Sequence, residues 1–265
     1  MHPFFHWGPL TLPAYGCFIL LGALSAAAYL YLSGPKSGFL REDLIYASLY
    51  AAIGVMIGAK LLYVITMLPV LIPRWSLFAD DPKLLLELFR GGFVFYGGLL
   101  GGVFAVRRYC LRYRLTFLPM IDHLIVTVPL IHGFGRIGCF FAGCCYGMPY
   151  EGFGAVVYPE GSFGLSGVPL FPLPLVEAGG LFLLFIALVL LSRKPRKIGF
   201  MTGIYLCVYA VFRFILEFFR YDELRGVWFG LSTSQYIGIL IFAAGCVLLW
   251  TSKKRGTFTR SQNVI

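Results

Sequence analysis

The sequence predicts an all-α integral membrane protein, a bundle of about seven transmembrane helices with its N-terminus outside and its C-terminus inside. Of its 265 residues, 59% are hydrophobic and only 13% are charged, which exceeds the apolar share of a soluble domain. The apolar residues fall into about seven long runs, each close to the length that crosses roughly 30 Å of hydrocarbon. The charges are divided unequally between the segments that join these runs.

The predicted spans follow one another with short polar connections. In chain order they are Leu10–Ser33, Leu44–Ile72, Gly92–Val106, Phe117–Phe134, Leu175–Ser192, Gly199–Phe219 and Leu231–Thr251. The third is the shortest and fits a tilted or partly re-entrant segment. No Lys or Arg precedes the first, so it is a poor signal peptide and is expected to remain as a span. We therefore expect a single transmembrane domain over residues 1–265, with an outer loop at 135–174.

The net charge is +10, and the distribution of the charged residues along the chain predicts the orientation in the membrane. With the N-terminus outside, the inner segments hold most of the cations: Lys36, Arg41, Arg107, Arg108, Arg112, Arg114, Arg193, Lys194, Arg196, Lys197, Lys253, Lys254, Arg255 and Arg260. The outer segments hold most of the acids: Asp80, Asp81, Glu87, Glu151, Glu160, Asp222 and Glu223. This is the bias of the positive-inside rule. The basic excess is thus a topogenic signal, and it does not indicate nucleic-acid binding.

Several ionisable side chains lie inside or at the ends of the spans: Lys60, Asp122, His123, His132, Glu177, Arg213 and Glu217. An ionisable group at the bilayer centre costs about 2.5–3.5 kcal/mol on insertion scales, so each needs a partner or a function. Arg213 and Glu217 are four residues apart on one helix face and can pair. Either they form a neutralised pair that holds the bundle together, or Arg213 binds a lipid phosphate while Glu217 orients it.

The segment Gly135-Arg136-Ile137-Gly138-Cys139-Phe140-Phe141-Ala142-Gly143-Cys144-Cys145-Tyr146-Gly147 directly follows an apolar run. An arginine at a membrane boundary calls for an anion, and a lipid phosphate is the nearest one. Two arginines at one depth could clamp a phosphate, which favours a binding role for Arg136 together with Arg213. For the three thiols we rank packing first, a disulfide second and a metal third, because their spacing matches no usual zinc pattern.

Three further features each allow two interpretations. Gly97 and Gly98 belong to a small-xxx-small face that is typical of close helix packing, although small residues also admit a head group. Tyr15 and Tyr96 are either interfacial anchors or hydroxyls that face a head group. His132 is either a hydrogen-bonded structural residue or a base.

Motifs in order along nearly the whole chain resemble those of the prolipoprotein diacylglyceryl transferase family, in a divergent branch with a cysteine-rich signature. They are Tyr15-Gly16, Gly58-Ala59-Lys60-Leu61, Phe95-Tyr96-Gly97-Gly98-Leu99, Gly135-Arg136-Ile137-Gly138 through Gly147, Phe212-Arg213, Glu217-Phe218-Phe219-Arg220 and Ser234-Gln235.

The resemblance implies a seven-span enzyme of the bacterial inner membrane whose site faces the periplasm. Such an enzyme takes phosphatidylglycerol from the surrounding membrane lipids, moves its diacylglyceryl group to the lipobox cysteine of a prolipoprotein signal peptide, and needs no metal or cofactor. By position, Arg136 and Arg213 would hold the phosphate and Glu217 would support Arg213. Residues expected at the substrate are Tyr15, Gly97, Gly98, Cys139 and Gly147.

The chain also departs from the family pattern. Tyr96 stands where the best-studied branch has a histidine, and its asparagines and glutamate are replaced by Cys139, Ala142 and Cys144. A further family run reads Phe171-Pro172-Leu173-Pro174-Leu175-Val176-Glu177 here. The base that takes the thiol proton is then Tyr96, His132 or a water held by Glu217, or phosphate release alone activates the thiol. A same-fold transferase with another acceptor, and a non-enzymatic lipid-binding or transport bundle, are the alternative functions.

Overall fold

The protein is described by a computed structural model that covers residues 3–8, 10–74, 83, 92–159, 167–221 and 227–258. Several charged residues that lie outside the predicted spans fall beyond these ranges: Asp80, Asp81, Glu87, Arg90, Glu160, Asp222, Glu223, Arg225 and Arg260.

The described chain is dominated by long helices, which confirms the all-α membrane bundle. The helices are α1 (Ala14–Ser37), α2 (Arg41–Leu71), α3 (Phe95–Tyr113), α4 (Phe117–Leu124), α5 (Val128–Ala142), α6 (Leu173–Ser192), α7 (Phe200–Glu217) and α8 (Thr233–Ser252). Short 3₁₀ turns at Ile72–Arg74 and Ile125–Thr127 follow α2 and join α4 to α5. Three small antiparallel hairpins pair β1 (Phe4–Trp7) with β2 (Leu10–Pro13), β3 (Val156–Val157) with β4 (Pro169–Leu170), and β5 (Val227–Trp228) with β6 (Leu231–Ser232).

Six helical segments of the described chain, with α4 and α5 taken together, are long and apolar enough to cross a membrane. The seventh, α3, carries Arg107, Arg108 and Arg112 toward its C-terminal end, and these lower its apolar content. Large apolar side chains cover the outside of the bundle; Leu100 and Leu240, for example, are about 70% exposed. An apolar outer surface of this extent is typical of contact with lipid.

The first span begins later than predicted. Leu10–Pro13 is extended and pairs with Phe4–Trp7, so the helix begins at Ala14. Pro13 lacks an amide hydrogen and its φ of −66° suits the residue that precedes a helix. The helix continues past the predicted Ser33 to Ser37 and is closed by Gly38 in the left-handed conformation.

Glycines let α2 and α3 approach each other closely. Gly54 and Gly58 of α2 face Gly97 and Gly101 of α3, and a Cβ added at any of these four would press on a backbone carbonyl of the other helix. Helices in a bilayer associate mainly through such close packing, since lipid tails are as apolar as leucine. The Gly97-Gly98 pair is therefore explained by helix packing.

The predicted outer loop at 135–174 starts too early, because α5 runs through Ala142 and ends at Gly143, whose φ is +72°. Glycine is unfavourable inside a helix, but here the absence of a side chain lets residues of neighbouring helices pack directly against the α5 backbone. Gly133 accommodates the ring of Phe182, and Gly138 lies against Tyr15. Arg136 and Cys139 are therefore helical residues at fixed positions.

The helix of the sixth span ends two residues before the predicted Phe219. Helix α7 ends at Glu217, so Arg220 does not extend the face of Arg213 and Glu217. Arg220 instead forms an antiparallel bridge with Gly147, in the segment that follows α5.

The antiparallel order of the helices collects different residues at the two ends of the bundle. One end, here called the site end, holds the N-termini of α1, α3, α6 and α8 and the C-termini of α2, α5 and α7. The opposite end holds the connections that are rich in Lys and Arg, including Arg193–Lys197 and Lys253–Arg255. There Asp122 accepts hydrogen bonds from the amides of Gly199 and Thr202 and from the Thr202 hydroxyl, and so caps α7.

Candidate active site

Polar residues from five helices and from the N-cap of α8 meet at the site end. They are Tyr15 on α1, Tyr96 on α3, His132 and Arg136 on α5, Glu177 on α6, Tyr209, Arg213 and Glu217 on α7, and Ser232 next to α8. Their meeting depends on helix periodicity. His132, Arg136 and Cys139 are spaced i, i+4, i+7 on α5, and Tyr209, Arg213 and Glu217 are spaced i, i+4, i+8 on α7, so each set shares one face.

Arg136 is held by a carboxylate of the neighbouring helix. Its Nη2 lies 3.0 Å from Oε1 of Glu177, and the Glu177 side chain is only 1% exposed. The same carboxylate oxygen lies 3.7 Å from Nε2 of His132. A buried carboxylate without a cation would be strongly unfavourable, so this pair accounts for Glu177 at membrane depth.

Arg213 is held within its own helix. Its Nη2 lies 2.6 Å from Oε2 of Glu217, and both side chains are about 90% buried. Oε1 of Glu217 accepts a hydrogen bond of 2.9 Å from the Ser232 hydroxyl. Ser232 also forms a capping box with Gln235 at the start of α8. The cap therefore fixes the serine, which in turn orients the carboxylate.

The two arginines approach the same region. His132 and Tyr209, whose rings are 5.7 Å apart, each interact electrostatically with both Arg136 and Arg213. Nε of Arg136 and Nη1 of Arg213 are buried and have no hydrogen-bond partner among the described residues. Two neighbouring guanidinium groups that each have an unpaired N–H donor can bind an oxyanion together.

The two tyrosines from the sequence motifs also reach this region. Tyr15 interacts electrostatically with Arg136 and with Cys139, Cys144 and Cys145, and its ring lies against Gly138. Tyr96 is within interaction range of Tyr209. Both hydroxyl-bearing side chains thus belong to the site, whereas the neighbouring Gly97 and Gly98 face α2.

Gly147, which was expected at the substrate, is packed between the segments that contain Phe171 and Phe219. Its amide donates to the carbonyl of Phe171, and the amide of Met148 donates to the carbonyl of Phe219. An added Cβ at Gly147 would press on both Phe171 and Phe219, whose rings stack 5.3 Å apart. Gly147 therefore connects the loop after α5 to the segment before α6 and to the segment after α7.

Three thiols form a compact group beside Arg136. The sulfurs of Cys139, Cys144 and Cys145, here called the thiol cluster, lie within 4.8 Å of one another. The amide of Cys144 donates to the Cys139 carbonyl, and Cys145 adopts a φ of +59°, so the chain folds back over the end of α5. Thiol hydrogen bonds from Cys139 and Cys144, with Arg136 and Arg220 nearby, lower the pKa of Cys145.

Tyr158 closes the thiol cluster from the outer loop. Its side chain is 1% exposed, and its hydroxyl has no hydrogen-bond partner in the described part of the chain. It interacts electrostatically with all three thiols, and burial raises its pKa to about 12. The phenol therefore stays protonated at neutral pH.

The sequence identifies Glu177 only as an ionisable residue within a span that needs a partner, and it does not identify Tyr209 or Ser232 as members of the site. Tyr209 could have been found, because it lies four residues before Arg213 on the same helix face. Ser232 could have been found from its capping pattern with Gln235, although its bond to Glu217 depends on the tertiary fold.

The fold and the site define a multi-pass membrane protein that carries paired, buried guanidinium groups at one end of its helical bundle. Residues 3–251 match the family model described as prolipoprotein diacylglyceryl transferase. The chain belongs to this family of membrane-embedded transferases.

Named relatives agree with the family match. The chain is 36% identical to the phosphatidylglycerol–prolipoprotein diacylglyceryl transferase of Clostridium tetani, over 89% of this chain and 91% of that one. It is 33% identical to the second such enzyme of Clostridium perfringens, over 93% of both chains. The enzyme of the same name from Photobacterium profundum is 35% identical, over 93% of this chain and 91% of the other.

Proposed function

We propose that this chain transfers the diacylglyceryl group of phosphatidylglycerol to the cysteine thiol of a prolipoprotein signal peptide and releases glycerol phosphate. The names of the relatives supply the substrates. The observation that carries the proposal is the approach of Arg136 and Arg213 to the same pair of rings, His132 and Tyr209. That arrangement suits an anionic head group.

The two guanidinium groups would act on the leaving phosphate. As the bond between the glyceryl carbon and the phosphate oxygen breaks, negative charge grows on that oxygen. Fixed cations inside a site shielded from water stabilise this charge more than water does, and they need no reorientation at the moment of reaction. Glu177 and Glu217 hold the two cations in place before the lipid arrives.

An apolar groove of about 390 Å³ runs between α6 and α7, next to this polar region. Gly180 and Phe212 line its beginning, and Leu191 lies toward the opposite end. Phe212 directly precedes Arg213, so a lipid whose phosphate binds the arginines could extend an acyl chain along the groove. The groove supports the proposal of a lipid substrate whose head group binds at the site end.

We further propose that the site end faces the periplasm in the bacterial cytoplasmic membrane. The clustering of Lys and Arg at the opposite end supports this orientation, since cations are enriched on the cytoplasmic side. A prolipoprotein that emerges from the membrane would present its cysteine at the same level.

The test uses the purified full chain in vesicles of phosphatidylglycerol, with a lipobox peptide as the acceptor. Release of glycerol phosphate and a diacylglyceryl mass increase on the peptide are expected. Arg136→Lys and Arg213→Lys should each lower kcat/KM by about 10²–10³-fold, the usual effect of removing one stabilising donor. Arg112→Lys, at the opposite end, is the matched control. Release of no glycerol phosphate by a folded protein, while a known transferase works alongside, would refute the proposal.

A further inference from the structure

The thiol cluster has no role in the proposed binding of phosphate. It lies beside that site, because Arg136 interacts electrostatically with Cys139 and Cys145. Cys139 is buried, whereas Cys144 and Cys145 are partly exposed. The thiol cluster is therefore buried at Cys139 and accessible to solvent at Cys144 and Cys145.

The spacing of the three sulfurs is close to that of a metal-thiolate site. Around a tetrahedral zinc ion with Zn–S bonds of about 2.3 Å, the sulfurs are about 3.8 Å apart. Here they lie within 4.8 Å of one another. Even at the upper limit, each sulfur would need to move by only about 0.6 Å toward a common centre to reach that geometry.

The surroundings also fit a bound ion. Three thiolates and a divalent cation carry a net charge of −1, and Arg136 and Arg220 both lie within interaction range of the cluster. The buried Tyr158 hydroxyl, which has no hydrogen-bond partner among the described residues, interacts with all three thiols. Hydrogen-bond donors to ligand sulfurs are the usual outer partners of thiolate metal sites.

We propose that Cys139, Cys144 and Cys145 bind one thiophilic divalent cation of the zinc type and leave a fourth position open for the thiol of the acceptor cysteine. Three protein ligands with an open position are the pattern of catalytic zinc, whereas structural sites have four ligands. A thiol that coordinates such a cation loses its proton at neutral pH. The cation would thus supply the thiolate beside the arginines that hold the phosphate.

This role rests on the proposed transferase function, and its steps balance without any oxidant or reductant. The acceptor thiol binds the cation and its proton leaves to water on the exposed side of the cluster. The sulfur then forms a bond to the glyceryl carbon as the bond from that carbon to the phosphate oxygen breaks. The electron pair of the broken bond leaves with glycerol phosphate, and the thioether, a weaker ligand, leaves the cation.

Metal binding is tested with Co²⁺ as a spectroscopic probe. The reduced full chain is titrated with Co²⁺ in detergent without oxygen, and one equivalent should produce thiolate-to-cobalt charge-transfer absorption. The double variant Cys144→Ser/Cys145→Ser should lose this absorption. The matched control is Cys207→Ser/Cys246→Ser, which removes another pair of thiols, 3.9 Å apart on α7 and α8, and should retain it.

Two milder variants keep the test informative if the double variant fails to fold. Cys145→Ser alone should weaken Co²⁺ binding at least tenfold. Tyr158→Phe keeps every ligand but removes the buried hydroxyl that would donate to a ligand thiolate once the cation is bound. It should weaken binding by about 10–100-fold, the usual effect of removing an outer partner of a metal ligand. Absence of saturable Co²⁺ binding while thiol titration finds the cluster reduced, or a disulfide within the cluster of the native protein, would overturn the proposal.

The open position is tested in the absence of lipid, so that no transfer can occur. A lipobox peptide should change the Co²⁺ spectrum, and the same peptide with serine in place of cysteine should not. If the spectrum responds but no product forms with phosphatidylglycerol, the cation site stands and the transferase function fails. If folded Cys144→Ser/Cys145→Ser transfers as fast as the control, the function stands and the role of the cation is refuted.

Discussion

Arg136 and Glu177 join α5 to α6 inside the site end, with 3.0 Å between Nη2 and Oε1. The carboxylate is almost completely buried, and the same oxygen faces His132. The pair thus links the stability of the bundle to the position of the Arg136 guanidinium group, which is proposed to bind the phosphate.

Glu177→Gln should lower both stability and transfer. The substitution keeps the shape of the side chain but leaves the Arg136 charge without its partner. Breaking a buried pair from one side costs about 3–5 kcal/mol, so thermal unfolding in detergent should shift to a lower temperature. Glu151→Gln removes an exposed acid of the same end and is the control. Equal unfolding temperatures for the two variants would show that the pair adds no stability.

Ser232 should affect transfer through Glu217. Ser232→Ala removes the 2.9 Å hydrogen bond to the carboxylate and also the helix cap. A hydrogen bond to a charged group contributes about 1.5–3 kcal/mol, so kcat/KM should fall roughly tenfold or more. Ser232→Thr retains the hydroxyl and should restore most of the activity. If the alanine and threonine variants transfer equally well, Ser232 does not position Glu217.

Gly97→Ala should destabilise the bundle, although alanine favours helices. The new methyl group would press on the Gly58 carbonyl and force α2 and α3 apart. Overpacking of this kind costs about 1–3 kcal/mol. Gly179→Ala is the matched control, because an added Cβ there meets no atom of the described chain within 4 Å. In the control, the higher helix propensity of alanine should leave stability unchanged or raise it. Unfolding in detergent measures both.

Hydropathy and charge were sufficient to predict the class of fold, because the bilayer requires long apolar helices with satisfied backbone groups. The ends of the helices were less predictable. The apolar run ends at Phe134, and the loop was predicted from there, yet α5 continues to Ala142. Gly135 and Gly138 belong to this helix and lie against Ile19 and Tyr15 of α1. At the N-terminus, apolar Leu10 forms a strand and not the start of a span.

The charged residues of the site could be predicted from the sequence, but most of their ion-pair and hydrogen-bond partners could not. Arg213 and Glu217 pair as their spacing indicates, since both lie on one helix. The partner of Arg136 is 41 positions away in sequence, on another helix, and only tertiary packing brings them together. The same holds for the bond from Ser232 to Glu217, because the chain between α7 and α8 has no periodicity that would place the serine.

Asp122→Ala should destabilise the protein without changing the site. The carboxylate accepts three hydrogen bonds at the start of α7, at the end of the bundle opposite to the arginines. Each bond to a charged group contributes about 1.5–3 kcal/mol, so a lower unfolding temperature is expected. Transfer per folded molecule should be unchanged. Glu42→Ala, an exposed acid near the same end, is the control. A selective loss of kcat in Asp122→Ala at full folding would contradict a purely structural role.

The proposed orientation can be measured with cysteines introduced at the two ends. Phe153 is fully exposed in the loop that follows α5, and Lys254 is exposed after α8 at the opposite end. In intact cells, a maleimide that cannot cross the membrane should label Phe153→Cys above the level of the parent chain. Lys254→Cys should be labelled only after the membrane is permeabilised, because a cation-rich end is retained on the cytoplasmic side. The reverse pattern would place the arginines on the cytoplasmic side, where a translocated prolipoprotein could not reach them, and the proposed acceptor would then be wrong.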